Sequence, residues 1–376
     1  MNAAQLMSDN IATFARHETF HPRYGWLRKA VAGAAKDPEL FAKPDATVEL
    51  GVGKNMVEAI RYWGQAFKLV EDAPNPTRPR LPWIVPSSLG RAMFSEKGWD
   101  PYVEAPGTFW VLQWWLLAPK TRAPVWWLAF NSFNAVHFTE PALTRYILGS
   151  IELTSGWTDV LESSIKKDVD CLVRMYSTRK ADQASDDAID CPFRELGLIE
   201  PVPGEARTYR FAIGPKPGLP DPILAYAALD FMARTESAST ITVARLAHDV
   251  GSPGKVFKLT EGAIFESLTR FANKDGRVRL AEPAGVKQVL VGPHADADLA
   301  LAVLREYYKR ETGSVYQFPG PKKAVLKGGD QAPKPRRRSA ASLTAELGVL
   351  FKTDKNPTIR RQLQRMVRKA EAQIKS

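Results

Sequence analysis

A turn containing two glycines separates two amphipathic segments between residues 45 and 72, and this pattern constrains the fold most. Glycine adopts the left-handed backbone of a tight turn readily, so Gly51 and Gly53 predict that a short helix starting at Asp45 ends there. A longer helix is predicted over about residues 54–70, because apolar residues recur there at helical spacing. Its inward face contains Met56, Val57, Ile60, Trp63 and Phe67. The segment is therefore predicted to be a helix-turn-helix.

The opposite face of the longer helix is polar, as in a recognition helix that enters the major groove of DNA. The residues predicted to contact DNA there are Lys54, Asn55, Glu58, Arg61, Gln65 and Lys68. Glu58 fits least, because a carboxylate repels phosphate unless it accepts a hydrogen bond from cytosine or helps to hold a metal ion. An amphipathic helix after a glycine turn also occurs as a purely structural element, and this alternative stays open.

The net charge of +11 lies entirely in the last part of the chain. Residues 320–376 contain 15 Lys and Arg against 4 Asp and Glu, so the remainder is neutral. A neutral body argues against one broad phosphate-binding surface, whereas a basic tail suits sequence-independent attraction to nucleic acid. Arg336, Arg337 and Arg338 are the predicted contacts in the tail. There are two alternatives. The tail is solvated, or it ends in an amphipathic helix that docks on a partner protein.

Length and aromatic content predict the domain organisation. A chain of 376 residues can bury a sizeable core. All ten tryptophans lie between Trp26 and Trp157, and burial is favoured over stacking on single-stranded bases. We expect an aromatic-rich helix-turn-helix domain in residues 1–155, a second helical domain with a winged-helix-like unit in 156–319, and a tail in 320–376. The predicted fold is mainly α with small β-hairpins, in tandem winged-helix or helix-turn-helix modules.

The sequence predicts a cytoplasmic protein without a membrane segment. Cys171 and Cys191 show no CxxC pairing, which argues against a zinc site and against a disulfide scaffold. The chain begins without the basic and apolar pattern of a signal peptide. The longest apolar stretch, residues 110–118, ends at Pro119 and Lys120 before it could span a bilayer.

The segment His17-Glu18-Thr19-Phe20-His21 matches the HExxH pattern of zinc enzymes. We reject a zinc site because Pro22 disfavours helical geometry at His21, and because a third ligand at a standard spacing is missing. An extended segment leading into a helix over residues 23–35 is predicted instead. Arg23 and the pair His17 and Glu18 remain candidate polar groups.

Two further features follow the helix-turn-helix. Residues 74–86 are rich in proline and form a predicted loop or wing beside DNA. Asp100 before Pro101 has the form of a helix N-cap, and the helix is predicted to continue through Trp115. The alternative places Asp100 and Glu104, one turn apart, in a magnesium site.

The second half contains another winged-helix candidate. A helix over residues 161–175 and a short helix ending at Gly197 precede a predicted hairpin. Helices over 242–250 and 255–271 are then followed by strands over 277–280 and 287–291. Predicted phosphate contacts are Lys255, Lys258, Arg277 and Arg279. Winged helices also dock proteins, so the sequence leaves this choice open.

Catalytic signatures of common enzyme classes do not appear. The segment from Gly51 to Asn55 lacks the first glycine and the Ser or Thr of a phosphate-binding loop. A Gly-x-Ser-x-Gly nucleophile motif is also missing. Residue patterns alone therefore indicate a DNA-binding protein with winged-helix modules.

Three long motifs, in the right order, resemble one family. They are His17-Glu-Thr-Phe with Arg23-Tyr-Gly-Trp-Leu-Arg-Lys, Leu50-Gly-Val-Gly-Lys-Asn-Met-Val with Ile60-Arg-Tyr-Trp, and Trp99-Asp-Pro-Tyr-Val-Glu with Gly107-Thr-Phe-Trp. Asp190-Cys-Pro with Glu195-Leu-Gly-Leu-Ile extends the likeness, which covers about residues 14–310. The family is one of domains of unknown function that includes SspB, a component of bacterial Ssp systems for DNA phosphorothioation.

The resemblance implies a DNA-nicking protein. Cutting one strand would let a sulfur-transfer machinery replace a non-bridging phosphate oxygen, as an antiphage mark. Implied partners are DNA, a cysteine desulfurase, an ATP-pyrophosphatase-type sulfur transferase and an ATPase. A DNA-binding adaptor that does not cut and a transcription regulator of a defence operon are the alternatives.

The resemblance does not identify the catalytic residues of such a nickase, but general chemistry suggests a site. Glu18, Asp100 or Glu104 is predicted to bind a divalent ion, Mg²⁺ or Mn²⁺, that activates water. Arg23 or Lys54 is predicted to stabilise the pentacovalent phosphate.

Overall fold

Helices form most of the regular structure. The computed structural model describes residues 3–154, 156–157, 159–177, 191–235, 239–292 and 296–318. The predicted contacts Arg336, Arg337 and Arg338 lie outside these residues. The α-helices are α1 (Ala3–Asp9), α2 (Trp26–Lys36), α3 (Ala46–Leu50), α4 (Lys54–Ala66), α5 (Ser88–Phe94), α6 (Thr108–Leu117), α7 (Pro124–Asn131), α8 (Glu140–Glu152), α9 (Glu162–Tyr176), α10 (Asp221–Thr235), α11 (Val243–His248), α12 (Pro253–Phe257), α13 (Glu261–Ala272) and α14 (Ala297–Thr312).

The strands form small antiparallel sheets. They are β1 (Val70–Ala73), β2 (Trp83–Pro86), β3 (Phe138–Thr139), β4 (Ile199–Pro201), β5 (Thr208–Phe211), β6 (Thr240–Thr242), β7 (Val278–Ala281) and β8 (Gln288–Val291). β1 pairs with β2, and the other two sheets have the orders β3-β5-β4 and β6-β8-β7. The prediction of a mainly α fold with small β-hairpins is confirmed.

Two helices joined by a glycine turn occupy the segment predicted to be a helix-turn-helix. α3 ends at Gly51, whose φ of 63° is left-handed, and α4 starts three residues later. Val57, Ile60 and Trp63 are buried on one side of α4. α4 ends at Ala66, earlier than predicted, because Lys68 takes a φ of 60° and the chain turns into β1.

α6 and α7 are almost entirely buried and form the centre of the core. Most tryptophans are buried with them, as predicted. α6 begins at Thr108 and not at the predicted Asp100. The chain before it turns at Val103, whose φ is 59°, and the Asp100 carboxylate accepts the N–H groups of Glu104 and Ala105. Asp100 therefore caps a turn ahead of the helix.

The second half follows the predicted order with one correction. A 3-10 helix at Pro192–Leu196 ends at Gly197 and leads into the β4–β5 hairpin. The helix predicted over residues 255–271 is broken in two. Lys258 adopts a φ of 57°, and the Thr260 hydroxyl accepts the N–H of Ala263 at the start of α13. The side-chain cap and the left-handed residue separate α12 from α13.

Residues 1–318 form one compact unit. Contacts join its two halves, since Trp114 Nε1 donates to Asp230 and the Gly107 N–H donates to the Tyr307 hydroxyl. The division into two domains at residue 155 stays a prediction. Within the described residues, the helices are too short or too polar to cross a membrane.

Candidate functional site

A cleft of about 670 Å³ lies between residues 11–18, one face of α4 and the start of α9. This volume is in the range of ligand sites in proteins, about 300–1,000 Å³. We call it the charged cleft because of the ionisable and amide side chains in its lining, which are Arg16, Glu18, Glu58, Arg61, Gln65, Arg122 and Asp159. The cleft brings Glu18 together with three polar residues of α4 that the sequence assigned to DNA contact.

α4 supplies one wall of the charged cleft. Glu58 is exposed and lies 4.0 Å from the half-buried guanidinium of Arg61. Asp72 of β1 organises the next part of the wall. Its carboxylate accepts hydrogen bonds from Gln65 Nε2 at 2.9 Å and from an Arg122 nitrogen at 2.8 Å. The wall therefore carries two guanidiniums, and Asp72 sets the position of the one on Arg122.

The opposite wall is a strained loop. Ala15, Glu18 and Thr19 have φ values of 55°, 49° and 67°. Such conformations cost about 1–3 kcal/mol each and persist where the surrounding structure fixes them, often at functional sites. Arg16 and Glu18, which line the cleft, are held within this loop.

A buried pair anchors the loop from behind. Both oxygens of Asp168 in α9 accept the Ala15 N–H, at 3.0 and 3.1 Å. His17 is buried with its Nε2 2.6 Å from Asp168 Oδ1, and its Nδ1 accepts the Thr19 N–H. Since Nδ1 is the acceptor, the imidazole proton lies on Nε2 and is donated to Asp168. Burial raises the pKa of the Asp168 carboxyl, while the hydrogen bond from His17 opposes that rise.

Sequence reasoning did not find the His17–Asp168 pair. The segment around His17 is a series of turns, so His17 and His21 do not share a helix face as HExxH requires. His21 is also buried, and burial lowers its pKa to about 4, with Arg194 and Arg174 adding to the effect. A lone Asp in an amphipathic helix carries no signal of a partner so far away in the chain.

The predicted metal set is not assembled. Asp100 is buried, and its carboxylate accepts the two N–H groups of its turn and the Thr108 hydroxyl at 2.5 Å. Glu104 is exposed on the same turn, and Arg23 lines a separate pocket with Tyr24. In the part of the chain that the structure describes, no three His, Cys, Asp or Glu side chains are grouped as metal ligands. Glu18 is thus the one member of the predicted set that lines the charged cleft.

The ammonium group of Lys68 points into the protein and not toward a DNA surface. It donates to the main-chain oxygens of Trp115 and Ala118, beside the carboxyl end of α6. Burial lowers the pKa of Lys68 to about 7. The prediction of Lys68 as a DNA contact is therefore wrong, whereas Lys54 and Asn55 are exposed on α4.

The predicted phosphate contacts of the second half also include both buried or paired residues and surface residues. Lys258 is buried, and its Nζ donates to the Phe130 carbonyl at 2.6 Å, so it does not face a phosphate. Arg277 pairs with the carboxylates of Asp275 and Glu306, which raise its pKa and neutralise its charge. Lys255 and Arg279 remain at the surface, half-buried and exposed respectively.

Comparisons with known proteins place this geometry in a family. A family profile described as "Protein of unknown function (DUF4007)" matches residues 14–308. The chain belongs to the DUF4007 family. The matched residues include the strained loop, α4 and Asp168, so the charged cleft lies within the family region. No protein among those with curated descriptions matches the chain.

Two solved structures resemble this DUF4007 chain closely. One, described as "SspB crystal structure", is 40% identical with a TM-score of 0.77, and the match covers 84% of this chain and 93% of that chain. Another, described as "Magnesium ion-bound SspB crystal structure", is 39% identical with a TM-score of 0.79, over 85% and 94% of the two chains. The resemblance to the SspB family expected from the sequence motifs is confirmed.

Proposed function

We propose that this DUF4007 protein cuts one strand of DNA within a bacterial Ssp system for DNA phosphorothioation, and that the charged cleft is its active site. The likeness to SspB over most of both chains suggests a role in such a system. The observation that carries the proposed activity is the meeting of Glu18 and Glu58 with Arg16, Arg61 and Arg122 in one cleft. Carboxylates and guanidiniums together are the groups that metal-assisted phosphodiester cleavage needs.

The donor set fits a magnesium or manganese ion. Mg²⁺ is commonly held by one or two carboxylates together with waters and substrate phosphates, and does not require a closed protein cage. Glu18 and Glu58 would hold the ion, since both side chains line the charged cleft. When bound, such an ion lowers the pKa of a water molecule and neutralises charge on the phosphate. The magnesium-bound SspB structure supports this choice of metal.

The arginines of the cleft would bind the scissile phosphate. A guanidinium forms two parallel hydrogen bonds to phosphate oxygens and stays charged at every physiological pH. Asp72 holds Arg122 at 2.8 Å, so that group is oriented before DNA arrives. We assign stabilisation of the pentacovalent phosphate to Arg61 and Arg122, because Arg23 lines a different pocket.

The same helix would position the DNA. Lys54 and Asn55 are exposed at the start of α4, ahead of the residues that enter the cleft. The β1–β2 hairpin follows α4 directly, in the place that a wing occupies in winged-helix proteins. We therefore propose that α2, α3, α4 and this hairpin act as a winged-helix module, with Lys54 and Asn55 in contact with DNA.

The second half has a related order of elements. β6, α11, α12, α13 and the β7–β8 hairpin succeed one another, and β8 lies between β6 and β7. Its last helix carries Glu261 and Glu266 on its exposed side, which disfavours phosphate contact. We propose that this module docks the other proteins of the system, which would be a cysteine desulfurase, an ATP-pyrophosphatase-type sulfur transferase and an ATPase.

Conversion of supercoiled plasmid to open circle by the purified protein tests the proposal. We expect nicking with Mg²⁺ or Mn²⁺, none with a chelator, and loss of at least a hundredfold in Glu18→Gln and Glu58→Gln, the scale for removing one catalytic group. Glu152→Gln, an exposed carboxylate at the end of α8, is the matched control and should nick normally.

Three results would count against this proposal. Full nicking by both cleft variants would show that the active site lies outside the charged cleft. Salt-sensitive DNA binding without nicking would favour an adaptor that recruits the modification proteins, and binding confined to a palindromic operator would favour a transcription regulator.

A further inference from the structure

A second pocket is lined by residues that follow the cleft-lining segment in the chain. It is lined by residues 22–28 together with parts of 94–112 and of 192–193, and its volume is about 130 Å³. We call it the aromatic pocket, after the side chains that define it, which are Arg23, Tyr24, Arg28, Tyr102 and Phe109. A volume below the range of about 300–1,000 Å³ for whole small-molecule ligands suits a single flat ring system.

Two tyrosines at this pocket are unusually exposed. Tyr24 is 51% exposed and Tyr102 is 67% exposed, whereas most large aromatic side chains of the described residues are buried. A single exposed aromatic ring needs no explanation, but two around one pocket indicate a surface that meets a partner. The pocket floor is also aromatic, since Phe109 packs edge-to-face on Tyr24 with 5.8 Å between ring centroids.

Neighbouring groups hold both tyrosines in place. The Tyr24 hydroxyl donates to Glu195 Oε1 at 2.5 Å. The Arg28 guanidinium carbon lies 4.3 Å from the centroid of the Tyr102 ring, within the range of a cation–π contact. Rings held in this way lose little entropy when a ligand stacks on them.

The charged side chains that line the pocket are both cationic, while the Glu195 carboxylate lies beside it on the Tyr24 hydroxyl. Arg23 and Arg28 are its charged lining residues, and within the described residues no carboxylate lines it. Aromatic platforms flanked by guanidiniums are the chemistry that recognises single-stranded nucleic acid, because the rings stack on bases while the cations bind phosphates. A peptide would find few main-chain partners in so small a site.

We infer that the aromatic pocket takes one unpaired nucleobase of the DNA strand, with the base stacked on Tyr102 and the adjoining phosphates on Arg23 and Arg28. This inference rests on the proposed function, since it presumes that DNA is the substrate. Arg16 and Glu18 line the charged cleft, and Arg23, Tyr24 and Arg28 line this pocket, so neighbouring parts of one segment serve both. Holding an unstacked base would keep a strand end in place after the cut.

Binding of 2-aminopurine DNA to the full chain, in chelator so that no cut occurs, tests the inference. One duplex carries a single unpaired 2-aminopurine and the other is fully paired. We expect tighter binding of the first, with quenched fluorescence as the base stacks. Tyr102→Ala and Arg28→Ala should each weaken binding of the unpaired duplex about tenfold and restore the fluorescence, whereas Tyr102→Phe should behave as wild type.

Two control variants remove an exposed apolar side chain and an exposed positive charge at positions outside the aromatic pocket. Leu153→Ala deletes an apolar side chain that is 82% exposed, and Lys309→Ala deletes one exposed positive charge. Both should bind the two duplexes as wild type does. Because Tyr102 is so exposed, its replacement leaves the fold intact, and circular dichroism of each variant verifies this.

The outcomes separate the inference from the function on which it rests. If Tyr102→Ala and Arg28→Ala bind the unpaired duplex and quench its fluorescence as wild type does, the base pocket is overturned. Plasmid nicking by the same samples would still support the nickase. Loss of association with another protein of the system, with DNA binding intact, would assign the pocket to a peptide and also overturn the inference. If wild type neither binds nor nicks DNA, both ideas fail.

Discussion

Asp168 Oδ1 lies 2.6 Å from Nε2 of His17, although 151 residues separate them in the chain. The same carboxylate binds the main chain at Ala15, so it fixes both the backbone and the imidazole of the strained loop. Arg16 and Glu18 line the charged cleft from this loop. The pair therefore acts on the site through position, without lining the cleft itself.

Asp168→Asn should reduce plasmid nicking at least tenfold while the chain remains folded. An amide keeps the size of the carboxylate but can accept through one atom only, which leaves a loop N–H or the imidazole N–H without its acceptor. The cost in stability should be about 1–3 kcal/mol. Asp298→Asn, which changes an exposed carboxylate in the first turn of α14, is the control. Wild-type nicking by Asp168→Asn would show that the loop geometry does not matter for the cut.

The stability of the protein should fall between pH 6.5 and pH 4 because of His21. Burial lowers the pKa of His21 from 6.5 to about 4. Above pH 6.5 the side chain is neutral in both states, and below that value the unfolded chain takes up a proton first. The folded state then loses about 1.4 kcal/mol per pH unit, or about 3 kcal/mol in total.

Urea unfolding of wild type and His21→Gln at several pH values measures this effect. The variant should show a shallower fall in the free energy of unfolding over that window. His137→Gln, which removes a largely exposed histidine, should follow the wild-type curve. Identical curves for wild type and His21→Gln would contradict a lowered pKa at this position.

Asp100→Ala should destabilise the fold. Its carboxylate accepts two main-chain N–H groups and the Thr108 hydroxyl in a buried turn, and removing it leaves these donors without an acceptor. We expect a loss of about 2–3 kcal/mol in the free energy of unfolding. Plasmid nicking by the protein that stays folded at low temperature should match wild type per molecule. A loss of nicking without a loss of stability would instead support the catalytic role predicted from the sequence.

Two glycine substitutions should have opposite effects. A Cβ atom at Gly90 would lie 1.9 Å from the main-chain oxygen of Leu69, which cannot move without disturbing the turn into β1, so Gly90→Ala should prevent stable folding. Gly149 lies in α8 with open space around its Cβ position, and Gly149→Ala should stabilise by up to about 1 kcal/mol. Thermal unfolding measured by circular dichroism distinguishes the two, and a normal Tm for Gly90→Ala would contradict the close contact.

Strongly periodic segments were the ones that sequence reasoning located well. α4 was found because its apolar spacing and the preceding glycine turn agree with each other. The predicted start of α6 is wrong because Asp100-Pro101 has the composition of a helix start, while the Asp100 carboxylate accepts local hydrogen bonds from Glu104, Ala105 and Thr108 that turn the chain instead.

The errors at the candidate site have a physical cause. The sequence predicts Lys68 and Lys258 to be surface cations, yet both adopt left-handed φ values at helix ends and their side chains donate to main-chain carbonyls inside the protein. Lysine gives no sequence signal for that conformation, which glycine usually occupies. Glu18 and the α4 residues were identified, but their meeting with Arg122 in one cleft depends on packing that spacing along the chain does not reveal.

Packing of α14 against the turn before α6 has a consequence for synthesis of the chain. The Tyr308 ring stacks on Trp99 with 5.4 Å between centroids, and the Tyr307 hydroxyl accepts the Gly107 N–H. These contacts join residues about 200 positions apart, so the tryptophan-rich core cannot be completed on the ribosome until α14 has emerged. During that interval the Trp99 face that Tyr308 covers in the folded chain stays exposed, and transiently exposed apolar surface of this kind favours aggregation.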